Sequence, residues 1–549
     1  MANKNVFKSS SSHFGSGADT VNEAGGIAYS LEAEHALAQL ATTGTIHDTF
    51  YEDAKTQLHK VLELSKRVSP KYLAQLAVYA RQVGYMKDMP AVLVAILASR
   101  NPYLLKKVFP VVIDNGKMLR TFVQVIRSGV TGRKSMGTAI KRLVQNWLEM
   151  RTPEQLFRDS VGNDPSLADI IKMAHPRPSS AERQALYGYL IGKKLNIEEV
   201  QALPKLVQDF ETFKLHRNQS VSPGFKAAFM RLIYGKEADM SVPPVPFQML
   251  TSLNLTTKDW KEIALQGGWH FVRMNLNTFA RHGVLQDPDV VAKLAETLSD
   301  EKTVKHSKVF PYQLFTAYQN VGPEIPMNLK LALQDAMEHA TANVPAFTGE
   351  GVIVCVDVSG SMRDAVTGNR GSATSKARCI DVAGLMSSIV LRQNPNAHVV
   401  VFSDEIHSVD LNPRDSVMTN AEKLASINGG GTYCSLALQH ANAKNLKAKL
   451  VIYVSDNQSW IDTKGRTDIW GNSSTATVAA WDIFKKNNPG AKMVNININP
   501  YTTTQASNAS DIMNVGGFSD TVFDVISRFV SGGEESVQQW VDTIKSIKI

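Results

Sequence analysis

The stretch Val352–Met362, V-I-V-C-V-D-V-S-G-S-M, constrains this chain more than any other. Five apolar residues lead straight into Asp357, and Ser359 and Ser361 follow at alternate positions. An unbroken apolar run bounded by polar residues and glycine is the pattern of a strand buried on both faces, inside a sheet that helices cover on each side. Such a strand ends by placing a carboxylate and two hydroxyls on one short loop. Hard divalent cations take oxygen ligands, and Mg2+ holds them in octahedral array while keeping some waters. Two later loops repeat this chemistry. Gly429–Ser435 reads G-G-G-T-Y-C-S and offers the Thr432 hydroxyl. Leu450–Asn457 reads L-V-I-Y-V-S-D-N and ends in Asp456. In an open doubly wound sheet, ligands bind outside the carboxyl ends of the strands. Asp357, Ser359, Ser361, Thr432 and Asp456 are therefore expected to form one divalent-cation site, with Mg2+ the expected ion. The bland alternative is a serine-rich turn whose hydroxyls cap a helix.

The surrounding pattern fits such a sheet. Strands are expected at 351–357, 397–403, 449–455 and 492–498, and helices at 375–393, 433–444, 474–487 and 520–530. Alternation of this kind gives a mainly parallel, doubly wound α/β domain, assigned to residues 346–549. From residue 26 to 345 the periodicity is helical instead. Ser69-Pro70 starts a helix with Tyr72, Leu73, Leu76, Ala80 and Val83 on one face. Pro90 opens a short helix that is apolar nearly all round, so it should be buried. Asp164-Pro165 is expected to start another, and 180–191 and 223–234 read similarly. Many helices joined by short turns suggest an α-solenoid of stacked pairs. Residues 1–25 are read as a disordered or extended N-terminal segment.

A length of 549 residues is too great for one core. The three cysteines, Cys355, Cys379 and Cys434, cannot all pair with one another, which suits a reducing compartment. Met1–Thr20 lacks an apolar core, so no secretory signal is expected. The apolar helix near Met89–Ala98 is too short to cross a bilayer. A cytoplasmic protein with no membrane contact is expected.

The net charge of +8 is unevenly placed. Residues 346–549 carry 18 Lys and Arg against 19 Asp and Glu, so the whole excess lies in residues 1–345. Such asymmetry points to a polyanionic partner for the helical part. From Lys106 to Arg142 come Lys106, Lys107, Lys117, Arg120, Arg127, Arg133, Lys134, Lys141 and Arg142, with Asp114 the one acid. Phosphate backbones complement a one-signed field, because each neutralised phosphate releases counterions. Tyr103 and Trp147 nearby are candidates to stack on bases, though single aromatics are more often core. A second cluster, Lys172, His175, Arg177 and Arg183, surrounds the turn H-P-R-P. A third comprises Arg273, Asn275, Arg281 and His282.

The ordered set resembles the TROVE module of the Ro autoantigen family followed by a von Willebrand factor A domain with its metal-ion-dependent adhesion site. The carrying stretches are I-I-K-M-A-H-P-R-P at 170–178, F-V-R-M-N-L-N-T-F at 271–279 and V-F-P-Y-Q-L-F-T-A-Y at 309–318, then D-V-S-G-S-M, G-G-T-Y-C-S-L and S-D-N. The resemblance implies a monomeric ring of HEAT-like helical repeats closed by the metal-site domain. It implies binding of small noncoding Y RNA on the outer face. It also implies binding, in the central hole, of the single-stranded ends of misfolded or damaged noncoding RNA. His175 and Arg158 match Y RNA contacts of the family, whereas the next family arginine falls at Gly162. Tyr433 stands where the family usually has Asp after the metal-site Thr. In bacterial relatives Y RNA tethers the ring to a 3′ exoribonuclease, which makes one a candidate partner.

Three function classes follow. The first is a non-enzymatic RNA-binding ring in RNA quality control. The second is a metal-dependent adhesion or scaffold protein that uses the helical part as a spacer. The third, an enzyme, lacks support. Gly129–Ser135 (G-V-T-G-R-K-S) has the wrong spacing for a phosphate-binding loop, and no G-x-S-x-G or H-E-x-x-H occurs.

Overall fold

The computed structural model describes residues 17–218, 241–307, 309, 311–341, 346–347, 351–369, 371, 374, 376–462, 474–517, 521–531 and 539–549. Among the described residues, every element from Ala33 to Thr341 is a helix. Their starts follow cap chemistry. Ser69 accepts from Tyr72 N ahead of Pro70–Gln82, Asn101 from Leu104 N ahead of Pro102–Val112, and Asn115 from Met118 N ahead of Gly116–Ser128. Each cap satisfies a donor that the first helical turn leaves orphaned. Asp88–Arg100 is buried continuously from Met89 to Ala98, between Pro70–Gln82, Pro102–Val112 and Gly116–Ser128. The helix expected to start at Asp164-Pro165 begins instead at Leu167. Ser166 is the stronger cap: its hydroxyl accepts from Asp169 N, and the Asp169 carboxylate accepts from Ser166 N. The helix read at 223–234 and the change of period at 344–345 lie outside the described residues.

Nine strands are described: β1 (Thr20–Val21), β2 (Ile27–Ser30), β3 (Val352–Asp357), β4 (His398–Phe402), β5 (Ile406–His407), β6 (Leu450–Ser455), β7 (Lys492–Asn497), β8 (Thr503–Thr504) and β9 (Ile512–Gly516). The main sheet has the order β5-β4-β3-β6-β7-β9, parallel except for β5. Every residue of β3 and β6 is buried, as central strands of a doubly covered sheet must be. On one face Cys379–Gln393 packs against β3 and Val417–Ala425; on the other, Ser435–Ala443 packs against Ala476–Asn487. This is the expected fold class, a helical-repeat array followed by a doubly wound α/β domain. No described helix is long and apolar enough to cross a membrane.

The array meets the sheet domain at both of its ends. At the start, β1 pairs with β2 and β2 with β8, Ala33–Thr43 touches β9, and Trp540–Lys545 lies on Pro70–Gln82. At the finish, Pro311–Asn320 packs on Cys379–Gln393 and Met327–Thr341 on Val417–Ala425. The path of the array is thereby closed through the sheet domain.

One buried group marks this closure. His35 lies edge-on to Trp540 at 5.2 Å, with Nδ1 2.9 Å from Asn508 Nδ2 and Nε2 without a partner. Burial pushes its pKa from 6.5 down to about 4. The unfolded chain therefore takes up the proton first, so stability is full above pH 6.5 and is lost as pH falls toward 4. The loss across that window is expected to approach about 3 kcal/mol, measured by denaturant melts at several pH values. His35→Gln is expected to flatten the dependence.

Candidate cation site and nucleic-acid interface

The ends of β3 and β6 and the loop 429–432 converge. Asp357, at the end of β3, accepts from Ser359 N on Oδ1 at 2.9 Å and from Ser455 Oγ on Oδ2 at 2.5 Å. Ser359 Oγ and Ser361 Oγ stand 3.4 Å apart. Gly360 N donates to Gly430 O at 2.9 Å, tying the first loop to the loop that carries the buried Thr432. Asp456 follows β6 directly. Its Oδ1 accepts from Gln458 N at 3.1 Å, whereas its Oδ2 is buried with no hydrogen-bond partner among the described residues. Burial raises the pKa of Asp357. Burial, and then the charge of Asp357, pushes Asp456 up to about 7.

Two adjacent buried carboxylates with an orphaned oxygen are unfavourable alone. Three hydroxyls and two carboxylates are a donor set for a hard divalent cation, so the residues fit one. Among the described residues, no group of three or more His, Cys, Asp or Glu is placed to hold a metal. Tyr433 N donates to Ser403 O at 3.0 Å. Sequence reading missed Ser455, which holds Asp357, although it immediately precedes Asp456. It also missed the buried Asp462, which accepts from Ser435 Oγ and Ser459 Oγ, each at 2.6 Å, behind the Thr432 loop. All three cysteines are buried and unpaired.

The basic residues fall into two neighbourhoods. One is built around the turn 175–178. His175 ends Leu167–Ala174 in the left-handed region, at φ 51°, and Gln145 Nε2 donates to the carbonyls of Ala174 and His175. Gln145 sits one helical turn after Lys141. Lys172 and Arg127 both act on the carboxylate of Asp169. Lys172, His175, Arg177, Arg127 and Arg142 are exposed. Among the described residues, Lys106, Arg127, Lys141, Arg142 and Arg177 form no salt bridge. Arg183 does not belong to this patch. It is buried and donates to the carbonyls of Leu148, Glu149 and Arg151.

The second neighbourhood was not foreseen. Lys87 and His270 are far apart in sequence, yet His270 feels the charge of Lys87. The pKa of Lys87 is lowered by burial and then by Lys117 and Arg81. That of His270 is lowered by burial, against a bond to Ser307 O, and then by Arg273 and Lys87. Arg273 donates from Nη1 to Gln313 O at 2.7 Å, keeps Nε unpartnered, and is held down to about 10 by burial. It lines a cavity of about 470 Å3 with Asn277, Tyr312, Gln313, Asn320 and Thr367. Lys87 and Arg273, cations from the two halves of the array, thus both act on His270, with Lys117 acting on Lys87.

The remaining candidates are spread more widely. Lys106 and Lys107 are exposed on Pro102–Val112, with Lys107 Nζ 5.1 Å over the Tyr103 ring. Lys117 also lies 3.4 Å from Asp88. Arg120 donates to Asp159 O, and a β-carbon on Gly162 would meet its Nη2 at 2.7 Å. Lys134 folds against Gly129 and Arg133 lies near Gly137. Arg158 is exposed, but its Nε donates to Pro244 O at 3.1 Å. Trp147 is core, its indole N–H bound to Ile113 O. Asn275 bonds Phe271 O and His282 stacks on Trp260 at 3.9 Å, so these two are structural.

A helical-repeat array docked at both ends on an A-type domain, with hydroxyls and carboxylates at its strand ends, defines the class of protein. Residues 352–530 match the family model described as the Ro60 vWA domain. The likeness to Ro proteins drawn from the sequence extends over the rest of the chain. The chain is 24% identical to the RNA-binding protein RO60 of Deinococcus radiodurans, over 93% of this chain and 95% of that one. It is 21% identical to the RNA-binding protein RO60 of Caenorhabditis elegans, over 74% of this chain and 67% of that one. The crystal structure of the D. radiodurans RO (RSR) protein superposes with a TM-score of 0.58 at 20% identity, covering 91% of this chain and 99% of that one, a likeness of fold.

Removing one of two like charges from an apolar site relieves their repulsion. In EDTA, Asp456→Asn is therefore expected to melt higher than the parent chain, by about 1–3 kcal/mol. Chemical denaturation at pH 8 measures it.

Proposed function

We propose that this chain is an RNA-binding protein of RNA quality control, without catalytic activity of its own. The single observation that carries the reading is the convergence of Lys87, Lys117, His270 and Arg273 from both halves of a closed array. Asp88 stands beside Lys117, but Lys87 and Arg273 form no salt bridge among the described residues, and a polyanion relieves the repulsion between such cations. A single strand fits a narrow cationic passage and leaves its bases free to stack or enter the Arg273 cavity, where a duplex is too wide. The ligand for this inner cluster is the single-stranded end of a misfolded noncoding RNA. The patch of Arg127, Lys141, Arg142, Lys172, His175 and Arg177 suits a folded small RNA of the Y type, with Arg158 beside it once freed from Pro244. A 3′ exoribonuclease tethered by that RNA is the proposed protein partner. Unpaired buried thiols favour the cytoplasm. The names of the two relatives support RNA as the ligand.

The five strand-end residues are proposed to hold Mg2+. The orphaned Asp456 oxygen is the observation that favours this, and it keeps a second reading in play: metal-dependent adhesion to an acidic partner. Asp357→Ala separates the two readings, since it should abolish partner capture while leaving Y-type RNA binding on the outer patch intact.

The test for RNA uses a structured RNA with and without a 3′ single-stranded tail, at about 50 mM and about 200 mM salt. The tailed RNA is expected to bind more tightly and to lose affinity steeply with salt. Arg273→Ala with Lys87→Ala should weaken tailed RNA by about tenfold or more and leave the Y-type RNA unaffected; Lys172→Glu with His175→Glu should do the reverse. Equal, salt-insensitive binding of both RNAs would refute the reading.

A further inference from the structure

The outward side of the Asp357–Asp456 constellation is not bare. The connection 44–53, between Ala33–Thr43 and Ala54–Arg67, lies against the loop that follows Ser361 and against Tyr501. Thr45 Oγ1 donates to Thr367 O at 2.7 Å. Asn369 N donates to Asp48 O at 2.6 Å, an isolated antiparallel bridge. Gly368, at φ 72°, passes so close that a β-carbon there would stand 2.7 Å from His47 Cβ. Tyr51 N donates to Tyr501 Oη at 3.3 Å, and the two rings meet edge-on at 5.7 Å. Phe50 packs edge-on against Tyr51 at 4.7 Å. Held in this way, the Tyr51 hydroxyl comes within hydrogen-bonding reach of Ser361 and faces the carboxylates of Asp456 and Asp357.

We propose that the cation site is an intramolecular clasp, in which an ion held by the sheet-domain oxygens fixes Tyr51 through Ser361 and so ties the N-terminal end of the helical array to the sheet domain. The proposal rests on the cation reading above. Tyr51 is a positioning residue. A serine hydroxyl that ligates a dication becomes a stronger donor, and the phenolic oxygen of Tyr51 is an acceptor in reach. Partners of metal-bound groups orient the ligand and raise metal affinity. The anchoring contacts at Thr367, Asn369 and Tyr501 keep the connection seated, so the hydroxyl needs no reorganisation when the ion arrives. Two consequences follow. An acidic side chain from another molecule reaches the ion only after the connection lifts. The clasp also bears on Thr367, which lines the Arg273 cavity, so the ion stiffens one wall of the inner nucleic-acid site.

The test uses the full chain, Tyr51→Phe and Asp357→Ala. Tyr51→Phe keeps the ring on Phe50 and Tyr501 and removes only the hydroxyl. Mg2+ affinity is measured by calorimetry, and cleavage within 44–53 by a protease of broad specificity is followed in Mg2+ and in EDTA. The parent chain should bind Mg2+ and become protected over 44–53 when it does. Tyr51→Phe should bind about tenfold more weakly and lose the Mg2+-dependent protection, while Asp357→Ala should neither bind nor be protected. If Tyr51→Phe matches the parent chain in both readouts, the clasp is wrong and the cation site stands. If the parent chain itself takes up no Mg2+, the cation reading fails and the clasp with it.

Discussion

The structure depends on one constraint: a stack of helices has two open ends, and here the same α/β domain covers both. At the first end Gln39 Nε2, fully buried, donates to the carbonyls of Asn497 at 3.2 Å and Asn499 at 2.8 Å. Trp540 Nε1 donates to Tyr79 Oη at 3.0 Å. At the second end Arg392 pairs with Glu338 at 3.2 Å, both partly exposed. Such a pair is worth little, so this end is held by apolar packing of Pro311–Asn320 and Met327–Thr341 on the sheet domain's helices. Polar matching fixes the geometry of one closure, and hydrophobic burial supplies the adhesion of the other.

Closure is also what gives the charges their meaning. Lys87, just before Asp88–Arg100, and His270, in Trp269–Arg281, lie on opposite stretches of the chain, and the closed path brings them near each other. Both side chains stay exposed to solvent, so the charge near them is open to a ligand from solution. Arg273 weighs most, because its guanidinium is mostly buried with Nε unpaired. A buried unpaired cation costs stability unless an anion is expected there. The outer patch differs in kind. Lys172, His175 and Arg177 are solvated, and their position is set by a turn that Gln145 pins through two carbonyls.

Strand-end chemistry was legible from sequence because it is local. The apolar runs that form β3, β4, β6 and β7 end within one residue of their expected limits, since burial on both faces leaves no ambiguity of period. The D-x-S-x-S spacing and the following S-D are contiguous with those strands, so the five oxygens could be read together. The inner cluster could not be read in this way. Nothing near Lys87 or His270 announces that their helices face one another, and the run 106–142 looked like one surface although its members are spread over three helices. Arg183 misled because a cation beside a basic turn resembles a surface group, whereas three backbone carbonyls claim it. β9 was missed because Ile512–Gly516 is short and includes Asn514, whose side chain is paired with Thr504 and Asn495 inside the domain.

The two sites are joined by the loop after Met362. Residues 364–369 leave the Ser361 turn, touch the 44–53 connection at Thr367 and Asn369, and reach the Arg273 cavity at Thr367. A displacement of the Ser361 turn is therefore felt at the cavity wall through a few bonded residues rather than through the whole array. Coupling of this kind needs an element with two arrangements, which the proposed clasp of the 44–53 connection would supply. On this view the α/β domain closes the helical path and also senses, at its strand ends, whether that closure is locked.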